Sequence, residues 1–249
     1  MIVLKSTQEI AMMWEANQIV AALLQELKEK AAPGVTTQEL DELAERWIQK
    51  RKAKCAFKGY RGYPNCLCTS VNNVIVHGLP SSSELQEGDI LSLDCGAYYK
   101  SFYGDAAITI PIGRASKKAE RLIRTTQECL QRAIEQMISG NRLSDISCAI
   151  QRHAEAAGYS VVRDFVGHGI GRQLHEDPQV PNYGVPGTGI RLKAGMVLAI
   201  EPMVNEGHWS IRILQDGWTA VTEDGALSAH FEHSVAITDN GPFVLSQPQ

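Results

Sequence analysis

Two apolar stretches in the first half of the chain each lead into an aspartate, Asp94 in LQEGDILSLD and Asp105 in YYKSFYGD. A carboxylate among buried residues loses its hydration, which is costly unless a cation or hydrogen bonds neutralise its charge. We interpret the stretch as a strand that ends at Asp94, a turn, and a second strand that ends at Asp105. Two such acids on neighbouring strands indicate a shared cation.

The second half of the chain repeats this stretch. Residues 192–201, LKAGMVLAIE, share with residues 85–94 the pattern Leu-x-x-Gly-x-x-Leu-x-apolar-acid, so Glu201 corresponds to Asp94. A pair of helical patterns precedes the strands in each half: residues 7–30 and a helix capped by Thr36, then a helix capped by Ser116 and residues 145–157 capped by Ser144.

The repeated order of elements predicts a single α+β domain over residues 1–249, with pseudo-repeat halves of about 1–113 and 114–249. The second half is expected to include strands at residues 196–204 and 230–238, and a hairpin through Asp216 and Gly217. We expect internal two-fold pseudosymmetry, one antiparallel-rich sheet, helices on its outer face and a site between the halves.

Composition gives no reason to expect a nucleic-acid or membrane partner. The 249 residues carry a net charge of -4, and 44% are hydrophobic, enough for an ordinary core. No apolar run reaches the roughly 18 residues of a spanning helix, and no secretory signal is visible. We therefore expect a cytoplasmic protein with reduced, metal-free cysteines. The six are Cys55, Cys66, Cys68, Cys95, Cys129 and Cys148.

A glycine-flanked histidine and two further acids complete a candidate metal site. His168 lies in VGHGIGRQLHEDP, and Glu232 lies in AHFEHSVAI. With Asp94, Asp105 and Glu201 they supply four negative charges, which two divalent ions would neutralise, and carboxylates can bridge ions about 3.5–4 Å apart. Oxygen ligands with one imidazole suit Mn, Fe, Co or Zn and discriminate poorly among them.

The chain also resembles a known family. It carries, in order and at matching intervals, GYRGYPNCLCTSVNNVIVHGLP, LDCGAYYKSFYGDAA, GHGIGRQLHEDP, AIEPMV and FEHS, which look like the signatures of type I methionine aminopeptidases. The resemblance extends from about residue 5 to about residue 240. It implies the pita-bread fold, whose pseudosymmetry agrees with the repeat. It also implies metal-dependent removal of the N-terminal methionine from nascent polypeptides with a small second residue.

The resemblance further implies a role for each site residue. The metal ligands would be Asp94, Asp105, His168, Glu201 and Glu232, holding two ions of Co, Mn, Fe, Zn or Ni. His77 would contact the scissile amide nitrogen, His175 would donate to the developing oxyanion, and Glu201 would shuttle a proton. The methionine pocket would be lined by Tyr60, Tyr63, Cys68, Leu174, Met203 and Trp218. A monovalent cation, Na or K, would be held by backbone oxygens around Asn72, Val74 and Ser228.

Three positions depart from the commonest family pattern. Leu174 replaces a usual aromatic residue and Phe57 stands where a small residue is common, so the pocket has its own shape. His230 stands where glutamine is usual. Because it precedes Glu232 by two residues on a strand, it faces the same way. We hypothesise that His230 supports the metal site and adds pH dependence; a surface histidine in a variable position is the alternative.

Other readings of the same motifs remain open. Proline-specific aminopeptidases and dipeptidases carry an additional N-terminal domain, for which there is no room before residue 5. Type II methionine enzymes carry an insertion, for which the 31 positions from Glu201 to Glu232 leave no space. A binding module without activity, or a metal-independent creatinase-like enzyme, is disfavoured because all five ligands are present. We expect a monomer acting on nascent chains, transiently at the ribosome.

Overall fold

The helices fall into two pairs in the structure, a computed structural model that describes residues 2–248. They are α1 (Thr7–Lys30), α2 (Thr37–Lys50), α3 (Lys117–Glu135) and α4 (Leu143–Ala156). The cap at Thr36 is confirmed, since its hydroxyl accepts the Glu39 N–H at 3.2 Å. The cap at Ser144 is wrong. Helix α4 begins after Arg142, whose N–H donates to the Asp145 carboxylate at 2.8 Å, while the Ser144 hydroxyl accepts the N–H of Thr188.

Antiparallel strands form one large sheet and two small ones. The strands are β1 (Lys54–Cys55), β2 (Leu67–Val71), β3 (Val74–Val76), β4 (Ile90–Tyr99), β5 (Phe102–Pro111), β6 (Ser160–Val161), β7 (Gly167–Gly169), β8 (Glu176–Val180), β9 (Val197–Ile200), β10 (Met203–Asn205), β11 (Ile211–Ile213), β12 (Ala220–Thr222), β13 (Ser228–His230), β14 (Glu232–Thr238) and β15 (Gly241–Val244). The nine-stranded sheet has the order β1-β4-β5-β14-β9-β7-β8, with β2 beside β4 and β15 beside β14. The small sheets are β13-β10-β6 and β11-β12-β3.

The first aspartate hairpin is longer than predicted. Asp94 and Asp105 lie inside β4 and β5, not at their ends, and the turn falls at Lys100 and Ser101, both with positive φ. Strand β4 continues past Asp94 because its alternate residues keep facing a buried surface. The sheet tolerates the acids because both project from one face of it.

The two predicted strands of the second half are each broken. Residues 196–204 divide into β9 and β10 at Glu201 and Pro202, and residues 230–238 divide into β13 and β14 at Phe231. Proline has no N–H to donate to a ladder. The chain therefore leaves the large sheet after Glu201, and β10 joins β13 and β6 instead. The hairpin through Asp216 and Gly217 is confirmed between β11 and β12.

The helices cover one face of the large sheet, as predicted. Leu93 of β4 packs with Leu27 of α1 and Leu40 of α2. In the second half, Val235 of β14 packs with residues of α3 and α4. Because side chains alternate along a strand, the neighbours of these residues, including Asp94, project from the opposite face. Each half thus supplies a helix pair to the outside and acids to the inside.

The cysteine prediction is wrong for one pair. Cys55 and Cys66 form a disulfide with their Cα atoms 5.3 Å apart, whereas Cys68, Cys95, Cys129 and Cys148 are free and buried. Strands β1 and β2 both pair with the same edge of β4, at Ala97 and Cys95 respectively. This common edge brings together two cysteines that no sequence motif connects.

Candidate active site

The five predicted metal ligands lie on five neighbouring strands, one on or directly after each of β4, β5, β14, β9 and β7. Ala107 of β5 pairs with Asp94 on one side and with Glu232 on the other. Ala199 of β9 pairs with His168. The floor, as we call this row, consists of Asp94, Asp105, Glu232, Glu201 and His168, in the order of their strands. The repeat and the alternation of side chains place all five on one face.

The side chains of the floor come within reach of a common ion. The nearest ligand atoms of Asp105, His168 and Glu232 all lie within 4.8 Å of one another. The Nε2 atom of His168 is 3.6 Å from Glu201 Oε1 and 3.9 Å from Asp105 Oδ2. Such a cluster of oxygens and one imidazole is typical of a site for divalent ions.

The carboxylates of the floor lack the partners that buried charges require. Asp94 Oδ1, Asp105 Oδ1 and Glu232 Oε1 are buried without a hydrogen-bond partner among the described residues. Burial raises the pKa of Asp94 to about 7, and burial with mutual repulsion raises the pKa values of Asp105, Glu201 and Glu232. These acids repel one another unless cations lie between them, so the residues present fit a divalent metal site.

His168 is arranged as a neutral ligand. Its Nδ1 donates to the Gly169 carbonyl oxygen at 2.9 Å, which leaves Nε2 with a lone pair facing the carboxylates. Burial lowers the pKa of His168 to about 4. The flanking glycines are required by close packing, because a β-carbon on Gly167 would lie 2.5 Å from the Ala199 carbonyl oxygen. An unprotonated nitrogen cannot donate a hydrogen bond to the neighbouring carboxylate oxygens, so a cation between them would stabilise both.

A cavity of 150 Å³ opens above the floor. All five floor residues line it, together with seven residues predicted for catalysis or the methionine pocket: Tyr60, Tyr63, Cys68, His77, Leu174, His175 and Trp218. Phe57 and Arg61 complete the lining. Met203 lies elsewhere, in a buried cluster with Ile75 and Ala220. The break at Pro202 carries Met203 out of the large sheet, so its predicted place in the pocket has no support from the geometry.

Both predicted catalytic histidines, His77 and His175, line the cavity. His77 has a φ of 60° and packs edge-on against Phe165, with ring centroids 5.2 Å apart. Burial lowers its pKa. His175 follows β7, and its Nδ1 is hydrogen-bonded to the Tyr60 hydroxyl at 2.8 Å. Desolvation lowers the pKa of His175 to about 3, and His168 and Arg61 add to the shift. Both rings are therefore neutral near pH 7.

His230 lies beside Glu201 of the floor. It is only 2% exposed, so the alternative of a surface histidine is wrong. Its Nε2 lies 3.9 Å from Glu201 Oε2 and has no hydrogen-bond partner among the described residues. Its backbone is held by Thr109, whose hydroxyl accepts the His230 N–H at 2.9 Å. The side chain is therefore placed to act on Glu201.

The residues predicted around a monovalent cation lie close together, and two of them are joined by a backbone hydrogen bond. The Asn72 carbonyl accepts the N–H of Ser228 at 2.9 Å, and Val74 follows two residues later in β3. Asn72 has a φ of 55°, and its side chain bonds to Asp89 and to the N–H of Ile90. The turn between β2 and β3 thus presents carbonyl groups beside β13.

Sequence analysis missed Arg61, which lines the cavity. It belongs to a segment of residues 56–65, which we call the rim segment, containing a short 3-10 turn at Tyr60–Gly62. Arg61 has a φ of 50°, between Gly59 and Gly62 with φ values of 87° and 90°. A left-handed arginine cannot be recognised from a residue pattern. The one available signal was its position between two predicted pocket tyrosines.

The sequence and fold both match known proteins. A profile of metallopeptidase family M24 matches residues 11–239. The chain belongs to this family, which agrees with a site built for metal ions.

Within the family, the chain is most usefully compared with methionine aminopeptidases. It is 55% identical over 246 residues to a methionine aminopeptidase of Clostridium perfringens, a match that covers 99% of each chain. The crystal structure of methionine aminopeptidase from Thermotoga maritima superposes with a TM-score of 0.98 at 48% identity, covering 99% of this chain and 100% of that one. The predicted pita-bread fold is thereby confirmed.

A proline-specific relative shares the fold alone. Xaa-Pro dipeptidase from Bacillus anthracis matches with a TM-score of 0.80 and 23% identity, covering 99% of this chain but 62% of its own. The dipeptidase therefore contains a large part that has no counterpart in the matched region. The much higher identity to methionine aminopeptidases separates the two branches.

Proposed function

We propose that the protein is a metal-dependent aminopeptidase that removes the N-terminal methionine from polypeptides with a small second residue. The observation that carries the proposal is the floor, which has five side chains on five adjoining strands. Three of its carboxylates have a buried oxygen without a hydrogen-bond partner among the described residues. The identity of 55% to a methionine aminopeptidase over nearly the whole chain supports the substrate.

The floor would hold two divalent ions. All five floor residues would help to hold them: Asp94, Asp105, Glu232, Glu201 and His168. When bound, the ions supply an activated water and polarise the scissile carbonyl. Their identity is left open by the donor set, since Co, Mn, Fe, Zn and Ni all accept these ligands.

The neighbouring side chains would handle the proton and the substrate. Glu201 is the acid nearest to both His168 and His230, and it would accept the proton of the attacking water and return it to the leaving amine. When the Tyr60 hydroxyl donates to Nδ1 of His175, the neutral ring carries its proton on Nε2 and can donate to the carbonyl oxygen as charge develops there. His77 would contact the scissile amide nitrogen.

The pocket favours one unbranched apolar side chain. Tyr63 turns its hydroxyl away, donating to the carbonyl oxygens of Leu67 at 3.1 Å and Gly78 at 3.2 Å, and its ring meets Trp218 edge-on. Burial raises the pKa of the Cys68 thiol, which stays uncharged. Leu174 closes the apolar wall. A flexible thioether fits such a space, while His77 leaves little room for a large second residue.

Several finer points complete the proposal. The whole chain would act as one catalytic domain whose two halves both contribute to the cavity. It would act as a monomer in the cytoplasm on nascent chains, transiently near the ribosome, and a monovalent cation would steady the turn around Asn72, Val74 and Ser228. No helix within residues 2–248 is long and apolar enough to cross a membrane.

The test uses two peptides, Met-Ala-Ser and Met-Leu-Ser, with metal-stripped protein and Mn, Co, Fe, Zn or Ni added back. We expect methionine to be released from the first peptide only, and only with metal. Hydrolysis of Xaa-Pro peptides instead would move the protein to the proline-specific branch. Metal binding without turnover of any peptide would favour a binding module.

A further inference from the structure

A second hollow adjoins the catalytic cavity. It is a groove of 670 Å³ that shares Arg61, His168 and His175 with the cavity and continues past Phe102 and Gln179. If His175 meets the scissile carbonyl, the methionine lies on the cavity side and the rest of the peptide on the groove side. The groove is therefore the path of the residues that follow the cleaved bond.

Two of the three lysine and arginine side chains that line this groove have carboxylate partners. Lys5 pairs with Glu176 at 2.5 Å, and Arg172 pairs with Glu9 at 3.1 Å while lying 4.5 Å over the Phe102 ring. Arg61 is the remaining cation of the lining, and its guanidinium has no carboxylate partner within residues 2–248. Its Cζ lies 5.4 Å from the centroid of the Tyr60 ring. A free guanidinium at the mouth of a peptide path is suited to a carboxylate of the peptide.

The position of that carboxylate follows from strand geometry. Side chains of an extended peptide alternate, so those of residues one and three point to the same side. The methionine side chain would lie against Tyr60 and Tyr63, and Arg61 stands between these residues in the rim segment. The third side chain would therefore point to the wall that carries Arg61, whereas the second points away from it.

We propose that Arg61 is a specificity-determining residue that favours substrates with an acidic third residue. The inference rests on the proposed aminopeptidase function and deepens it. The backbone of the rim segment supports it, because the positive φ of Arg61 lies within a turn whose ends are joined by a 2.7 Å hydrogen bond from Gly59 N–H to Tyr63 O. This turn fixes the backbone of Arg61 at the entrance of the cavity.

The test compares the peptide amides Met-Ala-Asp-Ala-Ala, Met-Ala-Asn-Ala-Ala and Met-Ala-Lys-Ala-Ala. Amidation removes the terminal carboxylate as a competing anion. We expect kcat/KM for the Asp peptide to exceed that for the Asn peptide about threefold in low salt, as for an exposed ion pair. The difference should lie in KM, because Arg61 contacts a part of the substrate that does not change in the reaction.

Charge substitutions decide whether Arg61 is responsible. Arg61→Gln should bring the Asp/Asn ratio to one, and Arg61→Glu should reverse the preference in favour of Lys. The matched control is Arg172→Gln, a cation of the same groove that already has a partner, which should keep the wild-type ratio. Melting temperatures of the variants confirm that each folds.

The outcomes separate the two proposals. Release of methionine from all three peptides at equal rates, or a ratio that survives in Arg61→Gln, overturns the assignment of Arg61 and leaves the aminopeptidase function standing. A preference for Asp at the fourth residue instead of the third overturns the assigned position. No methionine release from any peptide by the metal-loaded protein overturns the proposed function itself.

Discussion

The floor and the rim segment enclose the same cavity but are built in opposite ways. The floor rests on antiparallel strands, and three of its five residues, Asp105, His168 and Glu232, are at most 6% exposed. The rim segment has one 3-10 turn, three positions of positive φ at Gly59, Arg61 and Gly62, and a disulfide at its boundary. The floor gains its geometry from sheet pairing, whereas the rim depends on a few local contacts.

This difference assigns separate tasks to the two regions. Reaction chemistry needs side chains held within a fraction of an ångström, which a paired and buried sheet provides. Substrate selection tolerates a surface that can vary, and loops on a rigid scaffold commonly provide it. Changes in the floor should therefore act on kcat and metal binding, and changes in the rim should act mainly on KM.

The largest effect is expected from removing the charge of Glu201 in the floor. Glu201→Gln preserves the shape of the side chain but cannot accept a proton, so kcat should fall by about 10²–10⁴-fold. Steady-state kinetics with saturating Mn and Met-Ala-Ser measure it. Glu223→Gln, an exposed acid of the same half, is the control and should behave as wild type. Wild-type kcat in Glu201→Gln would contradict the proton-transfer role.

The floor was largely predictable from the sequence, for a physical reason. The repeat of residues 85–94 in residues 192–201 related Asp94 to Glu201, and the apolar runs beside Asp105 and Glu232 marked the other acids. The register between β5 and β14 was not readable, because pairing Ala107 with Glu232 depends on contacts between distant parts of the chain. The strand ends were not readable either: the strands were expected to end at Asp94 and Asp105, but β4 and β5 continue past them.

The rim was less predictable than the floor. Its tyrosines followed from the family motif, but the conformation of Arg61 and the Cys55–Cys66 bond depend on how β1 and β2 share an edge of β4. The place of Met203 was also hard to infer, since the strand break at Pro202 carries it into another sheet. Positions set by regular pairing can be inferred from periodicity, whereas positions set by irregular turns require the folded structure.

The next effect concerns the boundary between the two regions. His175 follows β7 of the floor and is hydrogen-bonded to Tyr60 of the rim. His175→Ala should lower kcat by about 10²–10³-fold, as expected for loss of one oxyanion donor. His208→Ala, an exposed histidine away from the cavity, serves as the control.

Tyr60→Phe tests whether the rim orients the ring of His175. It removes only the hydroxyl that bonds to His175 Nδ1, so kcat should fall by less than in His175→Ala while KM rises. If Tyr60→Phe changes KM alone, the hydrogen bond has no part in orienting His175, and the two regions work independently.

A smaller effect should follow from opening the disulfide at the edge of the rim. The bond closes a loop of sequence separation 11, and its removal should lower the free energy of unfolding by about 2–3 kcal/mol. Denaturant unfolding of Cys55→Ser/Cys66→Ser against wild type measures this. KM for Met-Ala-Ser should rise while kcat holds, because the loop carries Tyr60 and Tyr63 but no residue of the floor.

Adding a reductant tests whether the change in KM comes from the Cys55–Cys66 bond or from another thiol. Adding a phosphine reductant should raise KM of the wild-type protein to that of the double variant and leave the variant unchanged. An equal response of both proteins would trace the effect to metal or to a buried thiol such as Cys68. Wild-type protein that retains two alkylatable thiols at Cys55 and Cys66 before reduction would refute the link itself.

The smallest of these effects concerns the contact between His230 and Glu201 of the floor. His230 Nε2 lies 3.9 Å from Glu201 Oε2, too far for a direct hydrogen bond, so the interaction is electrostatic or passes through a water. His230→Leu removes this polar contact and should weaken Mn binding about tenfold, the low end for residues that support metal ligands. Isothermal titration measures the Mn affinity without relying on activity.

The control is His230→Gln, which retains a hydrogen-bond donor and should bind Mn more tightly than His230→Leu. Equal affinity in wild type and both variants would mean that His230 only fills space, and that the floor is held by strand pairing alone.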